Sequence, residues 1–396
     1  MATPTTVPAS QTATQAELAI NGGSPVSEAG VPFMSISMEQ GDRDAVNRVL
    51  DSGMLRAATQ CAALEEQFGQ MTGAAHAMAC ANGTCALQLA YEPLFGPGDE
   101  VTVPAWTYIA TASMIVARGA TPVFCDSRED TFQIDVEDAA KRITGKTKAI
   151  ACTHLYGCPV DIDAVQKLAA AHDLSVVYDS AQAHLARYDG EGVGAYGDAT
   201  TYSFYATKNL GTGEGGMITC NDHTLAHDIA LLRSHGETDK YLHERIGYNY
   251  RMNDLTGAIG LSKLQRLPAE TDTRRAAAAM YGEALAGISA IETPTVTAKA
   301  EPVWHLYTVK LNLDTLTCDR DTFSEALKAE GVPSAVHYPR SLTRQPAFAA
   351  FVKDHPAVAD SLAARVMSLP MHPGMTREHV DTVAEAIKKV ASHFAR

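Results

Sequence analysis

Residues 202–217 read YSFYATKNLGTGEGGM and hold a single lysine, Lys208. The segment before the lysine is aromatic and typical of a strand, whereas the segment after it is too rich in glycine for a helix. An amine acts as a nucleophile at neutral pH when its surroundings lower its pKa or when it is held as a Schiff base. Backbone without Cβ atoms also lets a flat ligand approach closely. We therefore predict that Lys208 carries pyridoxal 5′-phosphate.

Two other interpretations of this stretch stay open from its residues alone. Residues 211–216 match GxGxxG, the pattern of a dinucleotide-binding loop, but such a loop should open a helix. The residues that follow, 217–222, are typical of a short strand and a turn, so we expect the match to be a coincidence. Lys208 could also be an ordinary exposed lysine. Motifs for the same cofactor elsewhere in the chain disfavour that interpretation.

Composition narrows the classes of protein that fit. The chain has 396 residues, 46% of them hydrophobic and 20% charged, which suits a globular protein of two domains. Its net charge of −14 disfavours nucleic-acid and anionic-membrane binding. The eight cysteines form no CxxC pair, so we expect reduced thiols in the cytoplasm and no metal site. No apolar run is long enough to span a membrane, and residues 1–18 are expected to be a disordered tail.

Strand-like and helix-like segments alternate from residue 76 onward. This order predicts an α/β fold with a large domain built on a mostly parallel, doubly wound sheet. We assign residues 19–265 to this domain. Residues 266–396 are expected to hold a connector helix and a smaller C-terminal α+β domain. Within that second domain we predict a strand of alternating exposure at 304–311, a strand at 332–338 and a helix at 362–367.

Three further motifs could hold parts of a cofactor. Gly83 and Thr84 precede a predicted helix, whose first N–H groups and positive dipole end favour a phosphate. Trp106 and Asp179 each follow a predicted strand, where ligands of parallel sheets gather. An anionic Asp179 would raise the pKa of a pyridine nitrogen and keep it protonated. Helix caps and a packed core tryptophan stay open as alternatives.

Taken in order, these motifs resemble the DegT family of pyridoxal-phosphate-dependent sugar and cyclitol aminotransferases, in the aspartate aminotransferase superfamily of fold type I. The resemblance runs from about residue 22 to the C-terminus. The segments that carry it are NGTCALQLA (82–90), GDEVTVPAWTYIAT (98–111), HLYGCPVDI (154–162), DSAQAH (179–184), SFYATKNLGTGEGGM (203–217), GYNYRMND (247–254), VHYP (336–339) and SLPMHP (368–373).

The resemblance implies a role for each matching residue. Lys208 would bind the cofactor and shuttle the substrate's α-proton, and Asp179 would pair with the ring nitrogen. Gln182 would hydrogen-bond the phenolic oxygen, and Trp106 would stack on the ring. The phosphate would be held by Gly83, Thr84 and Ser203, joined by Asn249 of a second subunit, so a homodimer with a shared active site is implied. Candidates for the substrate pocket, for each of which a structural role stays open, are Tyr156, His184, Arg251, His337 and Tyr338.

The chain departs from the family pattern in small ways. It has Ser180 where relatives usually have alanine or cysteine, and Trp106 where another aromatic is commoner. Relatives that dehydrate sugars carry histidine in place of the lysine, so Lys208 favours amino transfer. The resemblance thus implies transfer from glutamate or glutamine to a keto sugar or ketocyclitol, in the biosynthesis of sugars or antibiotics. A related enzyme of elimination, decarboxylation or oxidation, a non-catalytic sensor and a nicotinamide-dependent dehydrogenase are the alternatives.

Overall fold

A seven-stranded sheet lies at the centre of the structure, a computed structural model that describes residues 17–396. Most of the predicted tail, 1–16, lies outside the described residues. The strands of the described chain are β1 (His76–Cys80), β2 (Glu100–Pro104), β3 (Thr121–Cys125), β4 (Thr147–Thr153), β5 (Ser175–Asp179), β6 (Arg187–Tyr188), β7 (Glu191–Gly192), β8 (Ala199–Ser203), β9 (Gly216–Cys220), β10 (Glu237–Asp239), β11 (Leu242–His243), β12 (Ile291–Glu292), β13 (Ala300–Glu301), β14 (Tyr307–Leu311) and β15 (Val366–Leu369).

The large sheet has the strand order β1-β9-β8-β5-β4-β2-β3. Strands β3, β2, β4, β5 and β8 pair in parallel, and β9 pairs antiparallel with both β8 and β1. Six of the seven strands therefore run in one direction. The predicted mostly parallel sheet is confirmed.

Helices cover both faces of this sheet. Side chains alternate between the faces along each strand, so Ala149 and Ala151 of β4 join one core while Ile150 and Cys152 join the other. The first core includes side chains of the helices at residues 83–91, 109–117, 223–233 and 357–365, and the second includes side chains of the helices at 59–72, 162–172 and 254–264. The helices are α1 (Gln40–Ser52), α2 (Thr59–Thr72), α3 (Gly83–Tyr91), α4 (Ile109–Ala117), α5 (Val136–Arg142), α6 (Ile162–His172), α7 (His223–Arg233), α8 (Asp254–Leu264), α9 (Leu267–Ala284), α10 (Arg320–Ala329), α11 (Ala357–Arg365) and α12 (Arg377–His393).

Helix α9 connects the large sheet to a smaller α+β unit. That unit has a three-stranded antiparallel sheet of order β12-β14-β15. Its own apolar core is formed by side chains of α9, α10, α12 and the sheet, among them Tyr281, Val309, Phe323 and Ile387. Among the described residues, no helix is both long and apolar enough to cross a bilayer.

The N-terminal segment packs on this smaller unit. Leu18 and Val31 belong to its apolar core. Glu330, which is fully buried, accepts the Ala19 N–H at 2.8 Å and the Val26 N–H at 3.1 Å. The predicted division placed Leu18 in the tail and the residues from 19 onward with the large sheet, whereas both Leu18 and Val31 pack on the smaller unit.

Three predictions about the C-terminal elements were wrong. Strand β14 does not alternate, because Thr308 and Lys310 on its polar face are buried through a hydrogen bond to Ser368 and an ion pair with Glu292. Residues 332–338 form no strand beyond a single bridge between Ala335 and Ser368. The helix expected at 362–367 ends at residue 365, and β15 begins directly after it.

Candidate active site

The C-terminal ends of four parallel strands meet at one edge of the large sheet. Strand β2 leads to Trp106, β4 to Tyr156, β5 to Asp179 and β8 to Ser203. Because parallel strands point the same way, their following residues gather at one end of the sheet. This explains why motifs far apart in sequence can build one site.

Lys208 lies in a tight turn between β8 and β9. Its N–H donates to the Tyr205 carbonyl at 2.8 Å. A Cβ on Gly211 would lie 2.4 Å from the Ala206 carbonyl oxygen, so the turn closes only with glycine there. Burial of the ammonium group lowers the pKa of Lys208 from 10.5 to about 8, and the negative charge of Asp179 acts in the opposite direction. A minority of the amine is thus neutral near pH 7, far more than for an ordinary lysine.

Asp179 is a buried carboxylate held in a fixed orientation. It is 4% exposed, and it accepts the Thr111 hydroxyl at 2.7 Å and the Ala181 N–H at 3.0 Å. Burial raises its pKa, while the Thr111 bond, the Ala181 bond and the charge of Lys208 lower it. A carboxylate in this setting gains from a cationic neighbour, such as a protonated pyridine nitrogen.

Helix α3 begins against the end of β8 and forms an anion cradle there. Asn82 caps the helix by accepting the Cys85 N–H at 2.9 Å, and within the described chain Gly83 and Thr84 have no such partner for their N–H groups. A Cβ on Gly83 would lie 2.6 Å from the Ser203 Cβ. The two donors and the Ser203 hydroxyl therefore face the same small space. Together with the Lys208 amine and the Asp179 carboxylate, this cradle fits the phosphate, aldehyde and ring nitrogen of pyridoxal phosphate.

A hydrogen-bond network joins the large sheet to residues 337–338. Gln182 accepts the Tyr156 N–H at 2.6 Å and donates to the Tyr338 hydroxyl at 3.1 Å. The Tyr156 hydroxyl donates to the His337 carbonyl and accepts the Trp106 indole N–H at 3.2 Å. Five of the predicted site residues are thus brought together, although Tyr156 and Gln182 are occupied by protein partners.

The structure separates the two aromatic residues at the end of β2. Trp106 is 1% exposed, and its indole N–H is already used by Tyr156. Tyr108, which the sequence analysis passed over, is 56% exposed and caps α4, the helix that carries Thr111 to Asp179. Its ring lies 6.0 Å from that of Tyr338. The prediction that Trp106 stacks on the cofactor is not supported, because its ring has no open face; Tyr108 has one.

Three predicted residues do not belong to this hydrogen-bond network. His184 is fully buried, hydrogen-bonds the Ser203 carbonyl at 2.9 Å and packs on Phe68, so its contacts are those of a core residue next to the site. Asn249 and Arg251 are exposed on the loop that pairs with Ser234 and Cys80. Within this chain they take part in no contact with Lys208.

A cavity of about 340 Å³ opens beside Lys208. Its lining includes Lys208 and His337, and also three residues that the sequence analysis missed, Lys263, Arg274 and His305. The spacing of Arg266, Glu270 and Arg274 would have indicated a charged stripe on one helix face. The GxGxxG match at 211–216 leads into β9 and opens no helix, so it lacks the donor end that a dinucleotide loop requires. No group of three or more candidate metal ligands occurs in residues 17–396.

Comparison with known proteins agrees with this geometry. The sequence profile of the DegT/DnrJ/EryC1/StrS aminotransferase family matches residues 37–388. The UDP-N-acetyl-3-dehydro-alpha-D-glucosamine 3-aminotransferase of Acidithiobacillus ferrooxidans is 39% identical over 346 residues, which are 87% of this chain and 92% of that protein. The dTDP-3-amino-3,4,6-trideoxy-alpha-D-glucose transaminase of Streptomyces venezuelae is 38% identical over 370 residues, 91% of this chain and 96% of that protein. The crystal structure of DesV from S. venezuelae has a TM-score of 0.87 and 37% identity, covering 91% of this chain and 98% of that one.

These matches confirm the predicted fold type I and the resemblance on which it rested. The profile covers most of the chain, and the relatives are similar along nearly their whole length. The chain is an aminotransferase that belongs to the DegT/DnrJ/EryC1/StrS aminotransferase family.

Proposed function

We propose that this aminotransferase uses pyridoxal 5′-phosphate to transfer the amino group of glutamate or glutamine to a keto sugar or ketocyclitol. The observation that carries the proposal is a lysine amine of lowered pKa next to a buried, oriented carboxylate, at the strand ends of the large sheet. The two relatives described above are named for sugar substrates, which supports a sugar acceptor. We expect the product to serve the biosynthesis of a sugar or an antibiotic.

Different residues would hold the aldehyde, the ring and the phosphate of the cofactor. Lys208 would bind its aldehyde carbon, and Asp179 would hold a proton at the ring nitrogen. Gly83, Thr84 and Ser203 would donate to the phosphate. Gln182 would hydrogen-bond the phenolic oxygen in exchange for its bond to Tyr338, and Tyr108 would offer its exposed aromatic face to the ring.

The residues of this chain then divide the chemistry between them. When bound, pyridoxal phosphate supplies an electron sink for the charge left at the substrate's α-carbon. Lys208, released by the incoming amine, would take the α-proton and later give it back, because its lowered pKa leaves part of the amine neutral to act as base. The hydrogen bonds from Thr111 and Ala181 favour the ionised form of Asp179, against the effect of its burial. The same residues, acting in reverse, would serve the acceptor half of the reaction.

A homodimer would complete this site. Large apolar side chains are exposed in two segments of the chain, residues 34–55 and residues 241–246, where Tyr241 is 82% and Ile246 93% exposed. A second copy that covered them would remove this apolar surface from water. Asn249, which follows the second of these segments and is exposed, would then reach the phosphate site of the partner. We also propose a cytoplasmic location, since all eight cysteines are free thiols.

The test is the absorbance spectrum of the purified protein. We expect a visible cofactor band that glutamate or glutamine converts to a shorter-wavelength form and that 2-oxoglutarate restores. Lys208→Ala should lack the visible band, whereas Lys146→Ala, which alters an exposed lysine before β4, should keep it. Nucleotide-linked keto sugars and ketocyclitols added to the converted enzyme would then identify the acceptor. A bound cofactor that no amino acid converts would point to elimination, decarboxylation or oxidation instead.

A further inference from the structure

The wall of the cavity beside Lys208 is rich in cationic side chains. Lys208, Lys263, Arg266 and Arg274 line it, opposed by Glu39 and Glu270. This local excess of positive charge occurs in a chain of net charge −14. It indicates a binding region for a negatively charged group, distinct from the phosphate cradle of Gly83 and Ser203, which is not part of this wall.

Two of these cations already have partners within the protein. Arg266 forms a bidentate pair with the buried Asp42 at 2.9 and 2.8 Å and also bonds Glu270 at 3.0 Å. Lys263 donates to the Gly211 carbonyl at 2.8 Å and so supports the turn that carries Lys208. Neither is the best candidate for a ligand contact.

Arg274 differs from them. It is 7% exposed, and its Nη1 donates to the Trp304 and Met371 carbonyls, each at 3.2 Å. Among residues 17–396 Arg274 forms no ion pair, and the two bonds from Nη1 are the only hydrogen bonds of its side chain, which leaves Nε and Nη2 without a protein partner there. The Nε–Nη2 edge is the fork that binds a carboxylate or phosphate through two parallel hydrogen bonds. Burial lowers the pKa of Arg274 to about 10, which leaves the guanidinium charged at neutral pH.

His305 lies in the same cavity as this guanidinium and the reacting lysine. The His305 ring bonds the Asn209 side chain at 3.1 Å, directly after Lys208 in the chain. After burial, the charges of Lys208 and Arg274 are the next causes that lower the pKa of His305. All three residues line the same cavity. A ligand that reacts at Lys208 therefore has Arg274 within reach of its charged end.

We propose that Arg274 anchors an oxyanion of the substrate through its Nε–Nη2 edge. This inference rests on the proposed function. The shared chemistry is that of a planar or tetrahedral oxyanion, which either the carboxylate of the amino donor or the phosphate of a nucleotide-linked acceptor would supply.

The test measures ligand binding to the cofactor-loaded protein by calorimetry, with two non-reacting probes. Maleate represents the dicarboxylic donor, and uridine diphosphate represents the nucleotide. We expect Arg274→Met to weaken the binding of one probe about 100-fold and Arg274→Lys, which keeps the charge but not the fork, about 10-fold. Arg275→Met is the matched control. Arg275 follows on the same helix, is partly exposed and pairs with Asp272, so both probes should bind that variant as they bind the wild type.

The outcomes either identify the group that Arg274 binds or overturn the proposal. Loss of maleate binding alone identifies the donor carboxylate as the ligand, and loss of uridine diphosphate binding alone identifies the acceptor phosphate. Unchanged binding of both probes in a folded Arg274→Lys variant overturns the proposal, as does a wild-type protein that binds neither. Thermal melting checks that the variants fold, because Arg274 also bonds two carbonyls. The spectral conversion by glutamate is measured separately, so a failure of the proposed aminotransfer would show there and not in the calorimetry.

Discussion

Lys208 and Asp179 each favour the charged form of the other. Burial disfavours both charged forms, which lowers the pKa of the lysine and raises that of the carboxyl. Each charge then partly restores the other. The lysine therefore stays near the point at which it can lose and regain a proton, as a base that serves both halves of a reversible transfer must.

We expect the reactivity of Lys208 in the cofactor-free protein to rise with pH around a midpoint of about 8. The amine reacts only when neutral, and a lowered pKa makes it neutral above about 8 instead of above 10.5. Asp179→Asn removes the negative charge that raises the lysine's pKa, so the midpoint should move to lower pH. Acylation of Lys208, followed by peptide mapping at several pH values, measures both. A midpoint near 10.5 in either protein would contradict the account.

Substitutions of Tyr108 and of Trp106 should have different effects. Tyr108→Ala should weaken pyridoxal phosphate binding about 5-fold, since an aromatic stacking partner is worth about 1 kcal/mol, with little change in stability. Trp106→Ala should lower the free energy of unfolding by about 3–5 kcal/mol, because the indole is buried. Cofactor titration and urea unfolding measure the two effects. Normal cofactor affinity in Tyr108→Ala, with loss of affinity in a stable Trp106→Phe, would restore Trp106 to the stacking position.

These residues differ in how far their positions can be predicted from the neighbouring sequence. Lys208, Asp179 and Gly83 lie at the tips of strands or at a helix start, positions that follow from the order of elements. Trp106 and Tyr108 are two positions apart after the same strand, and only the packing of Tyr156 and Tyr338 decides which ring is covered. Arg274 belongs to a helix whose cavity-facing side depends on the distant Trp304 and Met371.

At the scale of elements, the site depends on close approach between helix α3 and strand β8. Gly83 makes that approach possible, and the same contact places two N–H donors beside Ser203. A phosphate bound there would gain from the positive end of α3.

Gly83→Ala should therefore disturb both packing and cofactor binding. Its Cβ would lie 2.6 Å from the Ser203 Cβ, so the helix or the strand must shift. We expect a loss of about 1–3 kcal/mol in the free energy of unfolding and a larger fractional loss of pyridoxal phosphate affinity. Gly145→Ala, at a position with nothing within 4 Å, is the control and should change neither. Unaltered affinity in Gly83→Ala would remove the cradle from the site.

The elements themselves differ in how well the sequence predicts them. Strands such as β4 and β5 have apolar runs with clear boundaries, and their order indicates the parallel sheet. Residues 332–338 contain apolar side chains, but Pro333 lies within this segment and Pro339 directly follows it, and Tyr338 turns away to meet Gln182. Strand β15 follows α11 with no intervening turn, so no local residue separates the two.

At the scale of the whole molecule, residues that follow the large sheet and residues of the C-terminal unit enclose the site together. The bonds from Gln182 to Tyr338 and from Tyr156 to His337 tie the large sheet to the C-terminal unit. We propose that a second copy supplies the remaining wall through Asn249, since nothing in the described chain brings that residue to Lys208.

A mixing experiment tests the shared site. Lys208→Ala and Asn249→Ala should each be inactive alone as dimers. After the two are denatured together at equal amounts and refolded, about a quarter of the wild-type sites should be intact, because half of the dimers pair unlike chains and each has one complete site. Sedimentation confirms the dimer, and activity reports the sites. Mixed dimers without recovered activity would assign Asn249 to its own chain.

The contacts of Glu330 join the two ends of the chain, 311 residues apart at Ala19. During synthesis on a ribosome, the N-terminal segment emerges first, whereas Glu330 and Lys389, which donates to it at 2.8 Å, emerge last. All seven strands of the large sheet lie between residues 76 and 220, so that sheet can assemble while translation continues. Leu18 and Val31 meanwhile stay exposed to water, because the core of the C-terminal unit that covers them has not yet been synthesised. A nascent chain that stalls before residue 330 therefore exposes this apolar segment to chaperones and proteases.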